Sequence, residues 1–454
     1  MTLPADTICA VATPAGRGGI GVIRVSGSLC ADLCSQIAGI SPIPRRAQQA
    51  SFKDPGGVLI DTGLSLFFQA PRSFTGEDVW ELQTHGSPVV LDLLLTTLVQ
   101  GGCRLARPGE FSERAFLNEK LDLTQAEAIA DLIDSRSAAA ARNAVRSLQG
   151  EFSKLIHELV AEITRLRVYV EASIDFPDED VDFLSGGDVA RRLFALRAHL
   201  AEVQTQARQG ALLREGIQVV IAGEPNAGKS TLLNTLAGME AAIVTDIPGT
   251  TRDVLRQEII LSGVPVYILD TAGLRDSNDP VELEGIRRAR AAIDLADRVL
   301  LLVDVREREQ LTQNPVWCEL LTNPATAAKL TLVFNKIDLV GIPAAMTEVH
   351  GIPTVMLSAK QKTGLDLLQQ HLLQCAGFHA QDEGGFLARR RHLDALQRAA
   401  SALADATTQL EEYKAGELVA EELHRAQGAL GEITGAVSAD TLLGEIFRSF
   451  CIGK

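Results

Sequence analysis

The chain has 454 residues, enough for about three domains at the usual 100 to 200 residues each. Lys and Arg number 43 against 58 Asp and Glu, and the formal net charge of −15 argues against indiscriminate nucleic-acid binding while leaving room for a local basic patch. No apolar stretch approaches membrane-spanning length, and the first residues lack a basic region followed by an apolar core. The seven cysteines are scattered without a CxxC pair or Cys/His metal spacing, so a cytoplasmic, reduced protein is expected.

In chain order, β-rich runs open at 7–13 and 19–26, joined by PAGRGG; runs of similar alternation follow at 58–70 and 78–84, and a helix is expected over 88–100. This reads as an α+β domain ending near residue 118. Arg17 and its glycines suit a surface turn better than an anion site, and His85 in QTHGSP reads as structural. From about Leu121 the spacing becomes three-to-four. Phe152, Leu155, Leu159, Ile163, Leu166 and Val170 form one stripe, and after the acidic break DFPDEDVD come Leu193, Leu196, Leu200 and Val203. From about Phe386 helices return, with Leu393, Leu396, Leu403 and Leu410, then Leu418, Leu423, Leu430 and Ile433, on apolar faces. A helical domain split by an insertion explains this better than two unrelated bundles, because its halves must bury each other's stripes.

The insertion carries the chemistry. The apolar run 217–222 leads into GEPNAGKS, Gly223 to Ser230, the pattern of a P-loop at a strand-to-helix turn. Gly223 and Gly228 let successive N–H groups, with those of Asn226, Ala227 and Thr231 nearby, face phosphate; Lys229 reaches the outer phosphates and Ser230 takes Mg²⁺. The segment DTAG, Asp270, Thr271, Ala272 and Gly273, closes a second apolar run, where a carboxylate holds Mg²⁺ through water and a glycine meets the γ-phosphate. NKID closes a further run. The Asp338 carboxylate accepts the N1 and N2 protons of guanine, which adenine does not offer, and Lys336 packs its stem over the base between Asn335 and Ile337. SAK, Ser358, Ala359 and Lys360, places a backbone N–H on the guanine O6. In this order, at the ends of successive predicted strands, the motifs resemble the translation-factor-like branch of the GTPases, and GTP is the expected nucleotide.

Two details depart from a Ras-like switch. Leu274 stands where those proteins carry the glutamine that orients water, which leaves Glu282, in the polar segment RDSNDPVELEG, as the candidate catalytic residue. Between P-loop and DTAG lies AAIVTDIPGTTRD, in which Thr251 completes the Mg²⁺ shell when the loop closes. The Asn226 side-chain oxygen is placed to join loop carbonyls around a monovalent cation sited as an arginine finger's charge would be, with Arg252 and Arg275 as competitors for that role.

GEPNAGKS, TDIPGTTRD, DTAGLRD followed by VE at 281–282, IDFPDED at 174–180, RPGEFSERAFLNEKLDL at 107–123 and the terminal FCIGK together resemble the MnmE (TrmE) family of tRNA-modification GTPases over the whole chain. The resemblance implies a multidomain α/β plus α fold. Its parts are an N-terminal α+β tetrahydrofolate-binding and dimerisation domain (1–118), an all-helical domain (119–212 and 380–454) and an inserted Ras-like P-loop G domain (213–379). It implies a homodimer through the N-terminal domain and potassium-dependent pairing of G domains, with Asn226, Thr245, Ile247 and Thr250 around potassium. Asp246, Pro248 and Gly249 belong to the same GTP-contacting loop. It further implies joint action with MnmG, a flavoprotein carrying FAD and using NADH, on the wobble uridine of certain tRNAs. The pair attaches an aminomethyl or carboxymethylaminomethyl group at C5, the one-carbon unit coming from a tetrahydrofolate in its 5,10-methylene or 5-formyl form. Arg24, Glu81, Lys120 and Lys454 match the family's folate-binding residues; cations suit a folate glutamate tail and a carboxylate suits pteridine N–H groups. Cys451 matches the family's C-terminal cysteine, whose thiolate, added to C6 of uridine, activates C5; a thiol near a chain end is the plainer reading.

A regulatory GTPase switch, for instance in ribosome assembly, is the alternative function, and the GTPase motifs do not separate the two. A folate-dependent aminomethyl transfer to a protein leaves the GTPase domain without a purpose.

Overall fold

The computed structural model describes residues 6–175, 188–238, 256–270, 280–378, 385–437, 440–448, 450, 451 and 453. Its contacts divide the chain into two units: Met1–Ala130, Ser147–Ala201 and Asp394–Lys454 form the first, and Asp131–Arg146 with Glu202–Leu393 the second.

The first unit contains a six-stranded sheet made of β1 (Ile8–Val11), β2 (Gly18–Ser26), β3 (Gln48–Lys53), β4 (Leu59–Phe68), β5 (Val79–Gly86) and β6 (Arg104–Leu105), in the order β3-β4-β5-β2-β1-β6. The pairs are antiparallel except β1 with β6. Alternation along β5 turns Trp80, Leu82 and Thr84 inward. The helices Cys30–Ala38 and Pro88–Gln100 lay Leu33, Ile37, Leu94 and Leu98 on that face, with Phe52 of β3 and Ile23 and Val25 of β2. The expected strand runs and the helix at 88–100 are all present. β3 and the helix Cys30–Ala38 are additions; β3 buries only Ala50 and Phe52 of QQASFK, too few apolar positions to stand out.

The helical part of this unit packs the 25-residue helix Glu151–Asp175 on Gly416–Thr434. Phe152, Ile156, Leu159, Ile163, Leu166 and Val170 of the first helix are buried, as are Val419, Leu423, Leu430 and Ile433 of the second. Two expected stripe members on these two helices are displaced by one residue, as Leu393 is beside buried His392 on the helix Arg390–Thr408. Leu155 is half-buried beside buried Ile156, and Leu418 is 49% exposed beside Val419 at 0%. Among polar contacts, Arg167 Nη1 donates to Gln427 Oε1 at 2.8 Å.

The second unit is built on seven strands, β7 (Ile217–Gly223), β8 (Arg256–Leu261), β9 (Val264–Asp270), β10 (Arg298–Asp304), β11 (Leu330–Asn335), β12 (Ala345–Val349) and β13 (Ile352–Met356). Their order is β12-β13-β11-β10-β7-β9-β8, parallel through the middle, with antiparallel β12 and β8 at the edges. Central strands such as β10, RVLLLVD, are apolar on both faces because both are covered. One face packs on the helices Lys229–Ala237 and Leu365–Cys375, the other on Pro280–Leu295 and Pro315–Thr322. Among the described residues, GKS, Asp270 of DTAG, NKID and SAK fall at or just past the carboxyl ends of parallel strands, where ligands bind in open α/β sheets.

Candidate nucleotide-binding site

β7 ends at Gly223 with φ +144°, and a Cβ there would lie 2.3 Å from the Leu302 carbonyl oxygen on β10, so glycine is required. Asn226 takes φ +66° and Gly228 φ +101°, after which the helix Lys229–Ala237 begins. Left-handed turns leading into a helix N-terminus are the backbone arrangement that receives phosphate. Asn226, Ser230 and Thr231 are exposed there, and Ala227 is buried beneath. Lys229 Nζ folds back onto the carbonyls of Gly223 at 2.8 Å and Glu224 at 3.0 Å.

The NKID segment sits against the same loop. A Cβ on Gly228 would lie 2.3 Å from Asn335 Nδ2, which itself donates to the Ala227 carbonyl at 2.9 Å, while Asn335 Oδ1 accepts the Ala359 N–H at 3.0 Å. Asn335 is therefore a buried brace joining P-loop, β11 and SAK. Lys336, in a left-handed turn, donates through Nζ to the Asn226 carbonyl at 2.6 Å and to Asp304 Oδ2 at 2.9 Å. Ser358 Oγ donates to Asp338 Oδ1 at 2.5 Å and accepts from the Gln361 N–H at 3.2 Å, which orients the Asp338 carboxylate. Ile337 is buried and Lys360 exposed.

Asp304 is the residue that sequence reasoning missed. It is 4% exposed, and the Arg306 guanidinium, against the opposing effect of burial and with help from the Lys336 ammonium, holds its carboxyl far below the usual carboxylate range. A polar residue closing the apolar run VLLLV, as Asp270 and Asn335 close theirs, was the available signal.

Several expected residues lie outside the described ones: Thr245, Asp246, Ile247, Pro248, Gly249, Thr250 and Thr251, with Arg252; Thr271, Ala272 and Gly273, with Leu274 and Arg275; and Lys454. Asp270 ends β9 opposite Ile221 of β7, one strand from the P-loop. Glu282 is the third residue of the helix Pro280–Leu295. For these two only the backbone is described.

In the other unit Arg24 and Glu81 stand opposite each other on β2 and β5, with Arg24 Nη2 2.8 Å from Glu81 Oε1. The guanidinium lies 5.3 Å from the Phe74 ring and 5.8 Å from Phe111. Lys120 Nζ donates to the Pro71 carbonyl at 3.0 Å. At the C-terminus Cys451 is exposed and its carbonyl accepts the Gly109 N–H at 3.4 Å. Gly453 is buried, and a Cβ on it would fall 2.2 Å from the Val11 carbonyl oxygen. A cavity of about 500 Å³ opens beside this strand, lined by Cys9, Val11, Pro14, Leu91, Leu95 and Leu105 among others. His85 is an exposed surface group whose N–H and Nδ1 both reach Asp61, at 2.8 and 2.9 Å.

A mostly parallel sheet with GKS, NKID and SAK converging at its strand ends defines a P-loop GTPase of the G-domain class, joined in one chain to an α+β sheet domain and a helical bundle. The comparisons with known proteins cover the rest. Residues 7–120 match the family model of the GTP-binding protein TrmE N-terminus, and 123–451 that of the MnmE helical domain. The chain is 57% identical over 456 residues to the tRNA modification GTPase MnmE of Pseudomonas putida KT2440, covering 100% of each, and 57% identical over 450 residues to that of Yersinia pseudotuberculosis serotype O:1b, covering 99% of each. Among solved structures, the G domain of the T. maritima FeoB iron transporter matches at 25% identity and a TM-score of 0.26, over 35% of this chain and 98% of that one. The chain belongs to the MnmE family of tRNA modification GTPases.

Proposed function

We propose that the chain hydrolyses GTP and, with the flavoprotein MnmG and its FAD, adds an aminomethyl or carboxymethylaminomethyl group at C5 of the wobble uridine of certain tRNAs. The C-terminal tail carries this reading: a switch GTPase has no use for Gly453 closed onto the Val11 carbonyl with an exposed Cys451 beside it. The proposed divisions are 1–118 for folate binding and dimerisation, 119–212 and 380–454 for the helical domain, and 213–379 for the G domain.

At the nucleotide, Lys229 neutralises the outer phosphates, Asp338 selects guanine and Glu282 positions the attacking water. Bound Mg²⁺ and K⁺ supply positive charge at the phosphates, and a tetrahydrofolate supplies the one-carbon unit. Ser230 with Thr251, and Asn226 with Thr245, Ile247 and Thr250, are the proposed ligands. The exposed hydroxyl and amide of Ser230 and Asn226 are the oxygen donors such cations take. In the N-terminal sheet Arg24 fixes the direction of the Glu81 carboxylate, which then meets pteridine N–H groups, while Lys120 and Lys454 meet the glutamate tail. The protein acts in the cytoplasm as a homodimer.

The test is mass spectrometry of nucleosides from tRNA of cells lacking the chain. Loss of the C5-modified wobble uridine is expected. Unchanged wobble uridines, with GTP hydrolysis intact in the isolated protein, would leave a regulatory switch as the reading.

A further inference from the structure

The carboxylate of Asp304 is assigned no nucleotide contact, yet it holds the Lys336 ammonium of the NKID segment. Parallel pairing of β10 with β11 sets Asp304 directly opposite Asn335, so the residue after Asn335 in the chain, Lys336, emerges beside it. The two oxygens divide their work. Oδ1 accepts the Arg306 backbone N–H at 3.1 Å and caps the following turn, and Oδ2 takes the Lys336 ammonium at 2.9 Å. Arg306 covers the pair from the solvent side, its Nη2 at 2.7 Å from Oδ2. The same Lys336 ammonium also donates to the carbonyl of Asn226, a P-loop residue held at φ +66°.

We propose that Asp304 is a positioning residue for nucleotide binding: its buried carboxylate, also paired with Arg306, pins the Lys336 ammonium against the Asn226 carbonyl and so ties the base-reading segment to the phosphate-binding loop. This rests on the reading of NKID as the guanine site. Two of the three ammonium donors are occupied by Asp304 and Asn226, which fixes the end of the Lys336 side chain and so restricts its stem. The stem is then ordered before the base arrives, and nucleotide binding does not have to supply that ordering. Without the carboxylate the ammonium turns to water, the stem loses its direction, and the left-handed turn at Asn226 loses a charged hydrogen bond.

Asp304→Asn keeps the turn cap and the shape while the charge is gone; because it also breaks the Arg306 pair, Arg306→Ala is the control, expected to leave nucleotide dissociation near the wild-type rate. Dissociation of a fluorescent GDP analogue from the full chain should quicken roughly tenfold, the scale of one charge-assisted hydrogen bond. Association should change little, and the melting temperature without nucleotide should stay near that of the wild type. Asp304→Ser, which also keeps a capping oxygen, should behave the same way and serves as the second variant. In an Arg306→Ala, Lys336→Ala background, where both cations that pair with Asp304 are gone, the Asp304→Asn change should add nothing further to nucleotide dissociation. Unchanged dissociation, or an Asp304→Asn effect that persists in full in that background, would overturn the proposal. A wild-type chain that binds the guanine analogue no better than the adenine one would instead overturn the guanine reading itself.

Discussion

Asp131 and Arg389, 258 positions apart in the chain, meet with Arg389 Nη2 2.7 Å from Asp131 Oδ1. Arg214 Nε shares that oxygen at 2.8 Å, so one carboxylate, 8% exposed, fastens three segments of the second unit: the end of the helix Leu123–Ile133, the end of Asp188–Glu215 and the return of the chain after 385. Asp131→Ala leaves two partly buried guanidinium groups without this acceptor. A loss of about 2–4 kcal/mol in the unfolding of this unit follows from the cost of breaking a buried pair. Urea titration read by the fluorescence of Trp317, in a Trp80→Phe background, measures it, and a midpoint unmoved by the substitution would show that the pair contributes nothing.

Asp338→Asn should weaken GTP binding and relax selectivity toward xanthine nucleotides. The Ser358 hydroxyl that orients Asp338 remains, but an amide presents one donor and one acceptor where the carboxylate accepts twice. Calorimetric titration with GTP and XTP checks this. Tight, guanine-selective binding by the variant would remove Asp338 from base recognition.

The proposed potassium dependence centres on Asn226. If its side chain helps hold the ion, turnover of the wild-type chain should rise steeply from sodium to potassium buffer, and Asn226→Ala should lose most of the rise. Arginine fingers set the scale of such a charge at about 10³ to 10⁵ in rate. The backbone of Asn226 stays anchored through Lys336, so loss in the variant reports on the side chain. Equal wild-type rates in the two buffers would sink the idea.

Glu282 lies in the first turn of the helix Pro280–Leu295, a position where an acidic side chain also stabilises the helix dipole. Glu282→Ala should depress single-turnover hydrolysis strongly while leaving GTP affinity nearly unchanged, the mark of an interaction made in the transition state. A variant that hydrolyses normally but melts earlier would assign Glu282 to the helix alone.

Much of this protein was determined by local sequence. GKS, NKID and SAK each need a particular residue at a particular strand end, and the strands feeding them are short apolar runs; both signals survive in a single chain without any partner present. The leucine stripes likewise announced long helices, because burial on one face imposes a period of 3.6. Their one-residue slips at Leu155 and Leu418 show the limit: which of two adjacent apolar residues turns inward is settled by the facing helix. Only tertiary structure decided that Asn335 is a brace, that Asp304 reaches Lys336 and Asn226, and that Asp131 gathers Arg214 and Arg389. These contacts depend on which strands lie side by side and on where distant segments return. A charged residue leaves no period in the sequence by which its partner, dozens or hundreds of positions away, is known.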